Sequence, residues 1–376
     1  MEHFSFSRQA ALYDAGFSRQ QPRSNVTQSA PTIALVTSGL GPTFGGIGIV
    51  ASAITTALGN VARVTTWHHH VERPYLGRVG GVLLESLRGA VMDRPAFVFY
   101  DHVDLARIHA VTPWLRKIPY AIFLHGTEVW LPATKWRRTA LVGASLLVAN
   151  SQFTVDRARS QNPWLPVVHV TWLGSPFNTL PPPISERPPR ALLVGRMARN
   201  EVKGQDAALD AWPEIVAAVP QAELFLVGGG DDEIRLRERA NALRGVHCLS
   251  FVSDDVRDDL YRSSRVFLLP SLQEGFGLVA VEAAYNGMAL VGIQDTVMEE
   301  LFPSGNGAVF AHAQSGNAIA QAAIPLLRDP SLAARHAKAA QARAVENFTA
   351  QRFYERFIEI VMPMVSKRTN PSPELS

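Results

Sequence analysis

Val266-Phe267-Leu268-Leu269-Pro270-Ser271-Leu272-Gln273-Glu274-Gly275-Phe276-Gly277-Leu278-Val279-Ala280-Val281-Glu282-Ala283-Ala284 runs from an apolar strand pattern, through a glycine loop, into a helix pattern. Glu274 falls in the loop at the strand's carboxyl end. Glu282 falls eight positions later, about two turns into the expected helix. The Gly275-Phe276-Gly277 turn lets main-chain N–H groups approach a ligand closely at the helix start. Strand, glycine loop and helix in that order is where open α/β sheets bind anionic ligands. Two carboxylates beside such a place point to hydroxyl-rich groups, such as a sugar and a ribose.

The alternation extends outward in both directions. Ala191-Leu192-Leu193-Val194-Gly195, Glu223 to Gly228, Val246 to Phe251 and Ala289 to Ile293 read as further strands. Residues 330–366 carry a helical pattern rich in Ala, Arg and Glu. Six prolines between positions 176 and 189 exclude a helix or inner strand and mark a linker over 181–190. Before it lie Ile33–Thr37, Ala62–Trp67, Ala96–Tyr100, Tyr120–Leu124, Leu146–Asn150 and Val167–Val170, all strand-like. A small-residue helix from about Ile49 to Leu58 follows the glycine-rich stretch Ser38–Gly48. The expected architecture is α/β: two doubly wound, Rossmann-like domains, 31–180 and 190–345, facing a central cleft that takes the ligand. A helical tail follows, and its segment 350–368 is placed to complete the first domain. Residues 1–30 read as a polar extension that repeats Phe6-Ser7-Arg8-Gln9 as Phe17-Ser18-Arg19-Gln20.

Composition narrows the classes. A length of 376 residues fits two domains, and 47% apolar against 18% charged residues supplies a core for each. One cysteine, Cys248, excludes an internal disulfide framework and fits a reducing cytoplasm. No apolar run is long enough to span a membrane, and the N-terminus has no apolar leader pattern, so secretion is not expected. Residues 31–180 hold 13 Lys and Arg against 7 Asp and Glu, whereas 181–376 hold 20 against 24. The basic half offers a face to an anionic acceptor or membrane, with ordinary surface composition as the competing reading. No dense Lys/Arg stripe with interleaved aromatics points to nucleic acid.

The second domain opens with Gly195-Arg196-Met197-Ala198-Arg199-Asn200-Glu201-Val202-Lys203-Gly204. Arg196 presents a planar fork, and Lys203 a compact point charge, at a strand's carboxyl end; both suit phosphate oxygens. Together with Leu226-Val227-Gly228-Gly229-Gly230 and the Glu274–Glu282 segment, this set resembles glycosyltransferase family 4, a family of retaining sugar transferases with the GT-B fold. The resemblance is dense over residues 190–310. In the first half, Gly45-Gly46-Ile47, Leu124-His125-Gly126-Thr127-Glu128 and Val148-Ala149-Asn150-Ser151 resemble family motifs more loosely.

The resemblance implies roles. Arg196 and Lys203 would neutralise the donor diphosphate beside Gly195. Glu274 and Gly275 would meet the donor sugar, the main-chain N–H groups of Phe276, Gly277 and Leu278 would hold sugar and phosphate, and Glu282 would take the ribose hydroxyls. His125 would lie near the reacting sugar, against the competing reading of a histidine that satisfies a main-chain group. Glu128 would orient His125 or contact the acceptor, and the Gly45–Ile47 loop would face acceptor and phosphate. No cofactor or metal is expected, the nucleotide-diphosphate sugar being a co-substrate.

Other features are weaker. His68-His69-His70 reads as a polar loop, because consecutive side chains point different ways. Asp231-Asp232 and Asp254-Asp255 read as helix starts or turns. Lys135, Trp136, Arg137 and Arg138 offer a patch to an anionic membrane, with a solvated helix face as the alternative. Asp295-Thr296 stands where the family usually carries a Gly-Gly pair, and the Arg196–Lys203 interval is long for the family. The reading is a transferase moving a sugar from a nucleotide-diphosphate sugar to a hydroxyl acceptor, in polysaccharide or glycolipid synthesis. A non-catalytic nucleotide-sugar or glycan binder and a sugar-nucleotide epimerase are the alternatives.

Overall fold

In a computed structural model the chain is described over residues 30–41, 45–68, 75–175, 187–199, 203–305 and 307–369. The polar extension, His69, His70 and linker residues 181–186 therefore lie outside the described residues. The chain divides into two units: Met1–Pro176 with Ala350–Ser376, and Phe177–Thr349.

The first unit is built from β1 (Thr32–Thr37), α1 (Gly45–Gly59), β2 (Arg63–His68), α2 (Tyr75–Met92), β3 (Phe97–Tyr100), α3 (Val103–Val111), β4 (Tyr120–Leu124), α4 (Lys135–Gly143), β5 (Leu146–Ala149), α5 (Gln152–Gln161) and β6 (Val168–Val170). All strand pairs are parallel, in the order β2-β1-β3-β4-β5-β6. β1, β3, β4 and β5 are buried at every residue, because each is a short apolar run covered on both faces. Helix starts follow local chemistry. Ser151 accepts from the Thr154 N–H at 3.0 Å and caps α5, while Thr134 caps α4. One boundary differs from expectation. α1 begins at Gly45, so Gly45, Gly46 and Ile47 form its exposed first turn rather than a loop. Small residues at Gly48, Ala51 and Ala53 let that helix start early and lie close on the sheet.

The second unit runs β7 (Arg190–Val194), α6 (Gln205–Ala218), β8 (Glu223–Val227), α7 (Glu233–Asn241), β9 (Val246–Leu249), α8 (Asp254–Ser263), β10 (Val266–Leu268), α9 (Leu278–Tyr285), β11 (Ala289–Ile293), α10 (Val297–Leu301), β12 (Ala308–Ala311), α11 (Gly316–Arg328) and α12 (Pro330–Asn347). Its parallel strands lie in the order β9-β8-β7-β10-β11-β12, the dinucleotide-fold order. β12 was not expected. It is four residues long and only half of it is fully buried, so its apolar signal is short. Asp232 and Asp254-Asp255 do mark helix starts, those of α7 and α8.

The helical tail is two helices rather than one. α12 stops at Phe348, whose fully buried ring packs edge-on against Phe276 and Phe302 of the same unit. α13 (Ala350–Thr369) then belongs to the first unit. There it packs on α1, with Phe357 against Phe99 at 5.5 Å and Arg356 donating to the Trp172 carbonyl at 3.0 Å. Among the described residues no helix is long and apolar enough to cross a membrane.

Candidate functional site

The strand order of the second sheet sets β7 beside β10 with Ala191 opposite Val266. From β7 the chain moves toward β8, and from β10 toward β11, so the loops at their carboxyl ends diverge and leave a crevice. The first loop carries Gly195, Arg196 and Lys203, and the second carries Glu274 and Gly275. The fold thus brings together two motifs about 70 positions apart in sequence.

Lys203 joins them. Its Nζ donates to Glu274 Oε1 at 2.8 Å, with the two side chains 22% and 18% exposed. The Lys203 ammonium also reaches the Gln273 carbonyl at 3.5 Å. Gly204 makes this approach feasible. It starts α6 at φ +84°, and a Cβ there would lie 2.3 Å from the Pro270 carbonyl oxygen. Arg196 is exposed at the same strand end, and its carbonyl accepts from Gln205 Nε2 at 2.9 Å. Gly195 donates its N–H to the Val227 carbonyl at 3.0 Å, continuing the β7–β8 ladder to the edge of the crevice.

Gly277, at φ +85°, opens α9. The first N–H groups of a helix have no partner inside it, so the Leu278 end of α9 presents donors and the positive end of the dipole. Phe276 is buried and anchors this turn in the core through Phe348. Glu282 sits one turn into α9, not two, because the helix starts directly at Leu278. It is only 5% exposed, and its Oε2 accepts from the Tyr261 hydroxyl at 2.9 Å. Tyr261 was not singled out from sequence. Its position in α8, 21 residues before Glu282, gave no local signal.

The Asp295-Thr296 departure has a structural account. Asp295 itself adopts the left-handed conformation, φ +56°, and its N–H donates to Glu299 at 3.2 Å. Asp tolerates that region better than most side chains do, so the turn after β11 forms without a glycine. Thr296 closes it by donating to the Ile293 carbonyl at 2.7 Å.

In the first unit the corresponding crevice lies between β1 and β3. His125 follows β4 directly and is partly buried. Its Nε2–H donates to the Asp101 carbonyl at 2.6 Å, so the competing reading holds for that nitrogen, and the neutral ring carries its lone pair on Nδ1. Burial holds the imidazole below its usual pKa; the Glu128 carboxylate opposes this. Glu128 acts on the turn itself: its Oε1 accepts from the His125 main-chain N–H at 2.5 Å. Asn150, at the end of β5, donates to the His125 carbonyl at 2.7 Å. His102 stacks on His125 at 6.1 Å. Asp101 and His102 were missed in sequence, since Tyr100-Asp101-His102 matches no pattern beyond a strand end.

The basic patch on α4 is smaller than expected. Arg137 forms a two-pronged pair with Asp104 at 2.8 and 2.7 Å and donates to the Glu128 carbonyl, so it braces the His125 turn. Arg138 lies over the Trp164 ring at 4.9 Å. Trp136 is 53% exposed. Among the described residues no three His, Cys, Asp or Glu side chains are grouped as metal ligands.

Comparison with known proteins shows what the chain resembles. Two relatives are a phosphatidyl-myo-inositol mannosyltransferase of Mycolicibacterium smegmatis, 33% identical over 154 residues, and a glycogen synthase of Mycobacterium tuberculosis, 26% identical over 278 residues. The first match covers 40% of this chain and 39% of the relative; the second covers 69% and 66%. The chain thus spans less than two thirds of the length of either. Among solved structures, Anabaena HepE in complex with UDP and glucose superposes with a TM-score of 0.70 at 18% identity, over 89% of this chain and all of that one. A sucrose-phosphate synthase from Thermosynechococcus elongatus gives 0.72 at 15%, over 89% and 99%. The fold is that of the GT-B proteins, two Rossmann-like domains. The family model for group 1 glycosyl transferases matches residues 188–329. That region holds Lys203, Glu274 and Glu282, and over it the chain is similar to the group 1 glycosyl transferases.

Proposed function

We propose that the protein transfers a hexose from a nucleotide-diphosphate sugar to a hydroxyl acceptor, with retention at the anomeric carbon and without a metal. The observation that carries this reading is the Lys203–Glu274 pair across the switch point of the second sheet. Breaking the sugar–phosphate bond builds negative charge on the diphosphate. An ammonium about 4 Å away, at an effective dielectric near 20, is worth about 4 kcal/mol to that charge, or on the order of 10³ in rate. Arg196, at the same strand end, supplies a second cation. A carboxylate 2.8 Å from the ammonium cannot also face phosphate without repulsion, so Glu274 is assigned to sugar hydroxyls. Glu282, held by Tyr261, is assigned to the ribose. His125, with its ring neutral, is assigned to the acceptor side. The names of the relatives support this: a mannosyltransferase, a glycogen synthase, and a structure holding UDP and glucose. Retention rests on the family resemblance, and a role in cell-surface polysaccharide or glycolipid synthesis is the matching context.

A thermal-shift series with UDP-, GDP-, ADP- and dTDP-sugars tests the reading. One donor class at about 100 times its Kd is expected to stabilise the folded chain by about 2.7 kcal/mol. No shift with any of them, magnesium present or absent, would count against a donor site.

A further inference from the structure

Asp101 stands where β1 and β3 end side by side. Its N–H donates to the Val36 carbonyl at 3.2 Å, adding a rung to the ladder beyond Tyr100. Its side chain is fully buried, with Oδ2 2.6 Å from the Thr37 hydroxyl oxygen. Its Oδ1 is buried with no hydrogen-bond partner among the described residues. The Thr37 hydroxyl in turn lies 3.0 Å from the Gly39 carbonyl and accepts from the Gly39 N–H at 3.1 Å.

Counting protons decides the state of this group. A threonine hydroxyl has one proton to give. If Asp101 is ionised, that proton must go to Oδ2. The Gly39 carbonyl then loses its donor, and a buried anion is left with one oxygen bare. If Asp101 carries a proton on Oδ2, it donates to Thr37, and Thr37 donates to Gly39. All three contacts are then satisfied at once, and no charge is buried. The same residue's carbonyl fixes the His125 tautomer from the other side.

We propose that Asp101 is a protonated carboxylic acid at pH 6, a positioning residue that ties the loop after β1, through Thr37 and Gly39, to the turn that presents His125. Its functional half rests on the transferase reading above; the proton assignment does not. Burial, opposed only by the Thr37 contact, raises the Asp101 carboxyl from 3.8 to about 7. The titratable groups around it are His102 and Asp104 at the start of α3, and His125 and Glu128 from the turn after β4. None of these is needed for the shift.

The sign follows from linkage. Between pH 4 and 7 the folded chain keeps a proton that the unfolded chain releases, so this group's contribution to stability falls as pH rises through that window. Asp101→Asn keeps a donor toward Thr37 and cannot ionise. Thermal unfolding of the full chain from pH 5 to 8 is expected to show Asp101→Asn gaining on the wild type as pH rises, and levelling above 7. Nitrogen-15 NMR of the His125 ring is expected to show the Nε2–H tautomer in both proteins at pH 6. Donor turnover is expected to fall above pH 7 in the wild type and stay flat in Asp101→Asn. Thr37→Val, which removes the relay, is expected to lower turnover at every pH. Parallel unfolding slopes for wild type and Asp101→Asn would overturn the proton assignment. A flat Asn unfolding slope with an unchanged turnover profile would overturn the positioning role. If the wild type turns over no donor, the transferase reading fails alone, and the unfolding slopes still decide the protonation.

Discussion

Lys203→Ala is expected to lower donor turnover by on the order of 10²–10³-fold, the usual cost of removing one pre-placed group that stabilises transition-state charge. The leaving diphosphate carries more negative charge in the transition state than in the bound donor. The loss should therefore fall mainly on kcat, with a smaller rise in KM. The fold should tolerate the change. The Lys203–Glu274 pair is about one fifth exposed on each side, so its loss is worth about 1 kcal/mol or less after solvent screening. Steady-state release of nucleoside diphosphate, with a melting curve beside it, separates the two effects. An equal loss in Glu274→Gln with KM raised would fit its assignment to sugar hydroxyls.

Gly204→Ala is expected to have the largest effect on stability. The position needs φ +84°, and a new Cβ would meet the Pro270 carbonyl oxygen at 2.3 Å. A left-handed non-glycine residue costs about 1–2 kcal/mol, and overpacking against main chain adds about 1–3. The sum, about 3 kcal/mol, should lower the melting temperature by roughly 6–12 °C in a unit of this size. It should also cut turnover, because relief of the clash moves Lys203 away from Glu274. Gly59→Ala is the control. That glycine has nothing within 4 Å of a built Cβ, so its melting temperature should barely change.

Much of the fold was legible in sequence because buried parallel strands read as continuous apolar runs. Thr32–Thr37, expected as Ile33–Thr37, and Ala289–Ile293 are buried throughout and read in the sequence as apolar runs. β12 escaped because four residues with two half-exposed positions carry too little signal. The break at Phe348 escaped because an aromatic residue in an Ala- and Arg-rich run does not look like a helix stop. What stops the helix is a pocket formed by Phe276 and Phe302, which the local sequence does not show. The site divides along the same line. Lys203 and Glu274 were legible as motifs at strand ends. Asp101, Tyr261 and the bracing role of Arg137 were not, because their partners lie 64, 21 and 33 positions away. Such pairings are set by strand order, which a linear pattern does not encode.

The central claim is that the switch point of the second sheet binds a nucleoside diphosphate through Lys203. Isothermal titration of the full chain with UDP, GDP, ADP and dTDP tests it most directly, because the free diphosphate needs no acceptor and no turnover. The account predicts saturable one-to-one binding of at least one of the four, weakened about tenfold or more in Lys203→Ala. Failure of all four to bind, or binding that Lys203→Ala leaves unchanged, would contradict it.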